Sequence, residues 1–299
     1  MDQDKTMITL IKSAIEKGLR DSKEEPERAF RYLIDLATNF AETSYQKDLL
    51  NMLQKTLNDS NNKYYQLLNK IASEVDNQTL IEFGVNLGYR SLISEAETLR
   101  KNNQNLNYND WTCFIEPKNN LDFSEYNKLI LNKKNQGINN YIIFNKNISN
   151  LNKIISNHED SVFSIFTKPA AINNDSLKKF SNLNNIYFSV ELNDYKNPNN
   201  NFKETLNLLN KKTKLYGFHY YYDDFIAKNI IDDDWLKTIK NYQSNFCCLI
   251  PEGKNTHSKK VHEFIIESRK NLKYPIFLFD LHYDLEMIGK VILTPPAWR

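Results

Sequence analysis

Apolar side chains recur every three or four positions through the first hundred residues of the chain. The pattern is clear at residues 9–19, where one face of a helix would carry Leu10, Ile11, Ala14, Ile15 and Leu19. Pro26 stands where a second helix would begin, a position at which its missing N–H costs little. Helical repeats continue to residue 92, so we predict a helical N-terminal region over residues 1–105.

Two glycines interrupt the last of these repeats. Gly84 and Gly88 lie four positions apart in the apolar stretch EFGVNLGYRSL at residues 82–92. Small residues at helical spacing let another element approach the backbone closely. The stretch therefore predicts close helix packing or a kinked turn.

The pattern changes after the polar run KNNQNLNYND at residues 101–110, which we interpret as a linker. Seven short and largely continuous apolar runs follow, and helical patterns separate them. Such runs are typical of parallel strands buried on both faces, and their alternation with helices predicts βαβ units. The runs lie at residues 112–116, 141–144, 162–167, 186–192, 215–222, 246–251 and 276–282. We therefore predict an α/β fold in which residues 106–299 form a partial (β/α) barrel with parallel strands.

Composition narrows the classes of protein to which the chain can belong. Its formal net charge is +2 over 299 residues, which gives no electrostatic case for binding nucleic acid or an anionic membrane. No stretch reaches the roughly 18 to 20 apolar residues of a membrane span, and residues 1–27 lack the apolar core of a signal peptide. Cys113, Cys247 and Cys248 make no disulfide framework. We therefore expect a cytoplasmic protein.

A series of short motifs carries a family resemblance. Three of them are FGVNLG at residues 83–88, WTCFIEP at residues 111–117 and PIFLFDLHYD at residues 275–284. The others are EPER at 25–28, NNKYYQ at 61–66, VFSIFTKP at 162–169, IYFSVE at 186–191, the strand at 214–222 and PEG at 251–253. In this order they resemble a group of radical SAM proteins common in anaerobic, low-G+C bacteria. The resemblance implies a radical-SAM-like partial barrel behind a helical region.

The resemblance breaks at the positions that bind the family's cofactors. There, the loop after the first strand carries CxxxCxxC, whose three thiolates hold a [4Fe–4S] cluster. Here residues 118–122 read KNNLD, and NKN at residues 145–147 replaces the GGEP motif that seats SAM. The family's cysteine-bearing C-terminal segment is also absent before Arg299. The resemblance therefore implies a degenerate, C-terminally truncated member with neither a [4Fe–4S] cluster nor SAM.

Polar side chains at or near the ends of the predicted strands are the candidate ligand-binding residues. A barrel brings its strand ends to one mouth, where these side chains could line a pocket. The candidates are Glu116, Thr167, Glu191, His219, Glu252, Asp280 and His282. Strand alternation would place His282 on one face with Asp280 and Asp284, which makes this trio the best single cluster. Two histidines with carboxylates could bind a divalent metal that activates water. Otherwise the residues are remnants of an ancestral cavity or helix caps.

Two further features favour structural roles. Cys247 and Cys248 lie inside a predicted strand, where free cysteines behave as small apolar side chains. The aromatic strand at residues 216–222 could stack a base, but such strands more often pack against helices. We interpret both as parts of the core.

Three functions are consistent with these patterns. The first is a radical-SAM-like pseudoenzyme that binds a peptide, a small molecule or a protein partner, as an accessory to peptide modification. The second is a repurposed barrel enzyme, a metal-dependent hydrolase or isomerase that uses the carboxylates and histidines at the strand ends. The third places the function in the N-terminal helices as an interaction module. The sequence leaves the oligomeric state and any catalytic activity open.

Overall fold

The computed structural model describes most of the chain. It covers residues 2–41, 43–59, 62–102, 107–116, 123–148, 150–253, 256–270 and 274–294. The loop at residues 118–122, where the cluster motif would stand in the family, lies outside the described residues, as does part of the predicted linker.

Helices follow one another through the described residues up to Asn102. They are α1 Asp2–Asp21, α2 Pro26–Asn39, α3 Ser44–Thr56, α4 Lys63–Glu74, α5 Asn77–Phe83, a π-helix Gly84–Ser94 and α6 Glu95–Asn102. Their N-termini use the expected chemistry: Pro26 lies in the first turn of α2, and the Asp76 side chain accepts a hydrogen bond from Thr79 N at the start of α5. One residue departs from the predicted apolar face, because Leu10 is exposed.

The π-helix explains the glycine pair of the sequence. A Cβ at Gly84 would meet the Ile15 side chain of α1, whereas a Cβ at Gly88 would meet nothing within 4 Å. The prediction of close packing is therefore confirmed for Gly84 and wrong for Gly88. The wider turn is held partly by the Ser91 hydroxyl, which donates to the Asn86 carbonyl at 2.8 Å.

Seven parallel strands form one sheet in the described part of the chain, and the sheet is curled into a half-barrel. The strands are β1 Thr112–Ile115, β2 Asn140–Phe144, β3 Val162–Thr167, β4 Ile186–Glu191, β5 Tyr216–Tyr222, β6 Phe246–Pro251 and β7 Phe277–Asp280. They lie in the order of the chain, so each neighbours the next. The predicted α/β class and parallel sheet are confirmed. The seventh predicted strand is wrong at its end, because a helix begins at Leu281.

Helices connect the strands and cover the outer face of the sheet. They are α7 Phe123–Asn135, α8 Leu151–Ile155, α9 Asn174–Lys178, α10 Asn200–Lys211, α11 Asp224–Ile230, α12 Asp233–Ile239, α13 Ser258–Lys270 and α14 Leu281–Leu293. Strand alternation divides the sheet into two faces. Phe188 of β4 and Phe218 of β5 pack edge to face against Phe180 and Phe202 on the helical side. Their chain neighbours therefore point to the opposite, concave face.

The hydrophobic core joins the sheet to the preceding helices. Ala96 and Leu99 of α6 belong to the same buried cluster as the strands, whereas Phe30, Leu57 and Tyr65 form a smaller cluster. Hydrogen bonds also connect the N-terminal helices to the elements that follow them. Tyr64 of α4, for example, donates its hydroxyl to the carbonyl of Arg269 in α13 at 3.0 Å. None of the helices in the described ranges is long and apolar enough to cross a membrane.

Candidate functional site

A row of aromatic rings crosses the concave face of the half-barrel. Phe114 of β1, Phe144 of β2 and Phe166 of β3 lie 6.3 and 4.9 Å apart between successive ring centroids. His219 of β5 lies 5.0 Å from Phe166, and Tyr221 lies 5.4 Å from His219. Phe114 is 44% exposed at one end of the row, whereas Phe166 and His219 are buried. The face therefore offers both an apolar floor and an accessible edge.

His219 is a neutral imidazole inside this face. It is 2% exposed, and burial lowers its pKa from 6.5 to about 3, although a hydrogen bond with Ser189 opposes the shift. Its Nδ1 lies 3.0 Å from the Ser189 hydroxyl on β4. A buried imidazole with so low a pKa is a poor general base near neutral pH. The pair therefore orients the ring instead of activating the serine.

The charges of three carboxylates act on the half-buried Tyr221, at the other end of the row. Burial raises the pKa of Tyr221 to about 12, and the negative charges of Glu191, Glu252 and Glu116 add to the increase. Glu116 follows β1 and Glu252 follows β6, and both are exposed, while Glu191 ends β4. Four of the predicted candidates, these three and His219, thus share the concave side. Lys168 Nζ lies 3.8 Å from Glu191 Oε1. This is the one ion pair described for these three carboxylates.

Two other candidates belong to the helical side of the sheet. Thr167 pairs with Val190 in the sheet register and is buried, and its hydroxyl oxygen has no hydrogen-bond partner among the described residues. Asp280 pairs with Leu249 and is fully buried. Both positions have the parity of the helix-facing strand residues. The structure therefore places Thr167 and Asp280 on the helical side of the sheet, on the other face from Glu116, Glu191, His219 and Glu252.

The trio of Asp280, His282 and Asp284 does not form one face. β7 ends at Asp280, and the Asp280 carboxylate accepts hydrogen bonds from His282 N at 3.1 Å and Tyr283 N at 3.0 Å as the N-cap of α14. Helical geometry then turns the His282 side chain outward, where it is exposed. Alternation predicted the wrong direction because it was extended past the end of the strand.

Asp284 instead belongs to a buried ion pair. It is 1% exposed and accepts hydrogen bonds from Arg269 of α13 at 2.7 and 3.0 Å. It also accepts one from the backbone N–H of Asp280 at 2.7 Å. This pair fastens α14 to α13 and to the end of β7.

Asp280 has a polar neighbour that the sequence did not suggest. His262 Nδ1 lies 3.9 Å from Asp280 Oδ2, and neither atom has a hydrogen-bond partner among the described residues. Burial raises the pKa of Asp280 to about 6, with a further contribution from the charge of Asp284, while the N-cap hydrogen bonds and His262 lower it. The carboxyl therefore takes up a proton more readily than an ordinary aspartate.

The cysteines lie where core residues are expected. Cys113, Cys247 and Cys248 are free and buried, and burial raises the pKa of each thiol. The two adjacent cysteines of β6 point to opposite faces of the sheet. Within the described ranges, no three His, Cys, Asp or Glu side chains form a group that could hold a metal ion.

Sequence reasoning missed Ser189 and the phenyl rings as site residues. The two-residue period of a strand could have identified Ser189. Ser189 and Glu191 lie two positions apart on β4 and so share a face, as do His219 and Tyr221 on β5. Tyr220 and Tyr222 of the aromatic strand, in contrast, have the parity of the helix-facing core. These two tyrosines belong to the buried core cluster, and the half-buried Tyr221 packs against it from the concave side.

Comparisons of the chain with protein-family models, with curated proteins and with solved structures found no significant match.

Proposed function

We propose that this protein is a degenerate radical-SAM-like pseudoenzyme that acts by binding, as an accessory to peptide modification. The observation that carries the proposal is the concave face of the half-barrel, where aromatic rings lead from the exposed Phe114 to Tyr221 among three carboxylates. In parallel α/β barrels, ligands bind at the carboxyl ends of the strands. The ancestral substrate side of the scaffold is thus kept as a binding surface.

Loss of the cofactor motifs supports binding over radical chemistry. The whole chain has three cysteines, at positions 113, 247 and 248, and no CxxxCxxC. A site-differentiated [4Fe–4S] cluster needs three thiolates on one side of the cluster. Two of these cysteines are consecutive in one strand, so their side chains point to opposite faces.

The chemistry of the face favours a basic, aromatic peptide. Glu116, Glu191 and Glu252 give the rim a negative potential, which attracts and orients a cationic partner. Phe114 and Tyr221 present ring faces and edges on which aromatic side chains or cations can pack. A peptide with lysine or arginine beside phenylalanine or tyrosine would use both properties.

Anaerobic reconstitution with iron and sulfide tests the loss of the cluster. The protein is expected to stay colourless and to hold no stoichiometric iron or sulfide. A brown protein with a [4Fe–4S] absorption and EPR signature would overturn the pseudoenzyme assignment.

Fluorescence polarisation with two matched peptide libraries tests the binding surface. One library combines Lys or Arg with Phe or Tyr, and the other replaces each basic residue by Glu. Only the basic library should bind, and Glu191→Gln/Glu252→Gln should weaken binding about two- to fivefold and reduce its salt dependence. Phe114→Ser should weaken it similarly.

Two exposed positions outside the face supply the controls. Glu204→Gln on α10 and Tyr32→Ser on α2 should leave peptide binding unchanged. Equal binding of both libraries, or no effect of the Glu191/Glu252 changes, contradicts the assigned surface.

The alternative, a metal-dependent hydrolase or isomerase, would use His219, His282, Asp280 and neighbouring carboxylates at the strand ends. The two histidines lie in different settings, because His219 is buried in β5 and His282 is exposed on α14. Among the described residues, no metal site that contains both histidines supports this alternative. Elemental analysis of the native protein for zinc, manganese and iron tests it directly.

A further inference from the structure

A cavity lies at the opposite end of the half-barrel from the carboxyl ends of the strands. It has a volume of about 380 Å³ and is lined by residues of α1, α5, the π-helix and the segments that lead into β3 and β4. The volume is at the lower end of the range for small-molecule sites. Most of the residues that line it are polar.

One wall of the cavity is built by the π-helix. Asn86 and Arg90, four positions apart and within one π-turn, both line the cavity. The Glu95 backbone N–H, just after the π-helix, donates to the Arg90 carbonyl five residues earlier, the hydrogen-bond spacing of this helix type. π-Helical turns are rare and occur frequently at functional sites. The irregular helix therefore presents two polar side chains to a shared space.

The remaining charges of the cavity are largely paired. Lys12 donates to Glu82 at 2.7 Å, and Gln78 donates to the same carboxylate at 3.0 Å. Asp160 accepts two hydrogen bonds from Lys134, at 2.5 and 2.7 Å. Burial raises the pKa of Asp160, but the hydrogen bonds and charge of Lys134 together with Arg90 outweigh it and hold that pKa below its ordinary value. Asp160 is therefore ionised near neutral pH.

Arg90 differs from Lys12, because its charge acts on Asp160 but no hydrogen bond or ion pair of its guanidinium is described. Its Nε is buried and has no hydrogen-bond partner among the described residues. The buried Nε is closed to a ligand, but the terminal nitrogens of the guanidinium have no described hydrogen-bond partner and can donate to an anionic oxygen in the cavity. Glu159 at the cavity edge is exposed and has no described ion pair, so it supplies a negative charge of its own.

Hydrogen bonds fix the orientations of two asparagine side chains that line the same cavity. Asn86 Nδ2 donates to the carbonyl of Glu159 at 2.8 Å, and Asn185 Nδ2 donates to the carbonyls of His158 and Ser161 at 3.0 and 2.9 Å. Both side chains are buried, so their orientations are set before any ligand arrives. Preorganised polar groups raise affinity because less side-chain freedom is lost on binding.

We propose that this cavity binds a free α-amino acid, with the carboxylate of the ligand on Arg90 and its ammonium group facing Glu159 and Asp160. The cavity carries both signs of charge, and Glu159 is the acidic side chain without a described ion pair, so it would repel a purely anionic ligand such as phosphate bound to Arg90. A zwitterion satisfies both signs within a few ångströms. The fixed amides then select among side chains of the amino acid.

Thermal-shift measurement on the full chain with each of the twenty proteinogenic L-amino acids is the first test, followed by calorimetric titration of those that stabilise it. At least one amino acid should raise the Tm by about 2 °C or more at saturating concentration. The matching amine without a carboxylate, and the matching acid without an amine, should each bind at least tenfold more weakly than the amino acid. These probes use the unaltered protein, so they stand even if a variant fails to fold.

Substitutions then assign the site. Arg90→Gln should raise the Kd at least tenfold, while Arg28→Gln, at an exposed position on α2, should leave it unchanged. Glu159→Gln should weaken binding of the amino acid but not of the matching acid. The proposal is overturned if none of the twenty amino acids binds, if the matching acid binds as tightly as the amino acid, or if a folded Arg90→Gln protein keeps the same Kd. Peptide binding at the concave face is measured separately, so failure of one proposal leaves the other unaffected.

Discussion

The hydroxyl of Ser189 lies 3.0 Å from Nδ1 of His219 on the neighbouring strand, and both side chains are buried on the concave face. The two residues are not direct partners in the sheet register, since Ser189 pairs with Gly217 and His219 pairs with Glu191. Gly217 has no side chain between them. The contact therefore depends on the register of β4 and β5 as well as on the two side chains.

Removing one partner of this contact should cost more than removing both. Ser189→Ala should lower the free energy of unfolding by about 1–3 kcal/mol, because it leaves a buried imidazole nitrogen without a partner. Ser189→Ala/His219→Phe should recover most of that loss, since phenylalanine packs between Phe166 and Tyr221. Urea unfolding of both variants and of His219→Phe completes the cycle. Additive losses would show that the two side chains do not interact.

His219 should also make the free energy of unfolding fall more steeply as the pH is lowered. Its folded-state pKa of about 3 is below the unfolded value near 6.5, so the unfolded state takes up the proton first as the pH falls. This contribution is fully present above pH 6.5 and declines below it, by about 2 kcal/mol between pH 6.5 and 5. His219→Phe should lose this part of the slope in urea unfolding at a series of pH values. An unchanged slope would mean that the imidazole can reach water.

Asp280 should have the opposite effect on stability, which it lowers as the pH rises. Its folded-state pKa of about 6 exceeds the ordinary 3.8, so the folded state keeps the proton and stability falls as the pH rises from about 4 to 6. Asp280→Asn keeps an N-cap acceptor and offers an N–H to His262 Nδ1. The variant should match the wild type near pH 4 and exceed its stability by about 3 kcal/mol at pH 7.

An exposed N-cap supplies the control for Asp280. Asp232 caps α12 in the same manner, and Asp232→Asn should change stability by less than about 0.5 kcal/mol at either pH. If Asp280→Asn is instead destabilising at pH 7, its carboxylate is ionised and bound in the fold.

The Arg269–Asp284 ion pair should be essential for stability. Arg269→Met leaves the fully buried Asp284 carboxylate without its cation, and such losses cost about 3–5 kcal/mol. Lys270→Met removes the neighbouring exposed charge and should cost less than about 0.5 kcal/mol. Chemical unfolding of the two variants compares them directly. Similar small effects of the two changes would mean that the Arg269–Asp284 ion pair does not stabilise the fold.

Two glycines in helical segments should respond oppositely to alanine. A Cβ at Gly289 of α14 would collide with the Tyr108 backbone carbonyl, which cannot move aside as a side chain could. Gly289→Ala should therefore lower the free energy of unfolding by more than about 2 kcal/mol. Gly88→Ala, with nothing within 4 Å, should be neutral or stabilising by up to about 1 kcal/mol. Equal tolerance of both changes would show that residue 108 does not lie against α14.

The sequence by itself determined the α/β class, the parallel strands and their positions, because buried strands and amphipathic helices have distinct periods. It also placed seven polar candidates, Glu116, Glu191, His219 and Glu252 among them, at or near the ends of strands that parallel pairing brings to the same edge. These conclusions need only local pattern and the rule that consecutive parallel units lie side by side.

Only the tertiary structure decided which face each strand-end residue joins and where the last strand stops. His282 left the predicted cluster because α14 begins at Leu281, and a helix start one residue away redirects every following side chain. The sequence did not predict the cavity next to the segments that lead into β3 and β4. Arg90 and Asp160 both line it because the π-helix packs against the segment before β3. Contacts between residues so distant in the chain depend on how elements pack, and local periodicity does not record that.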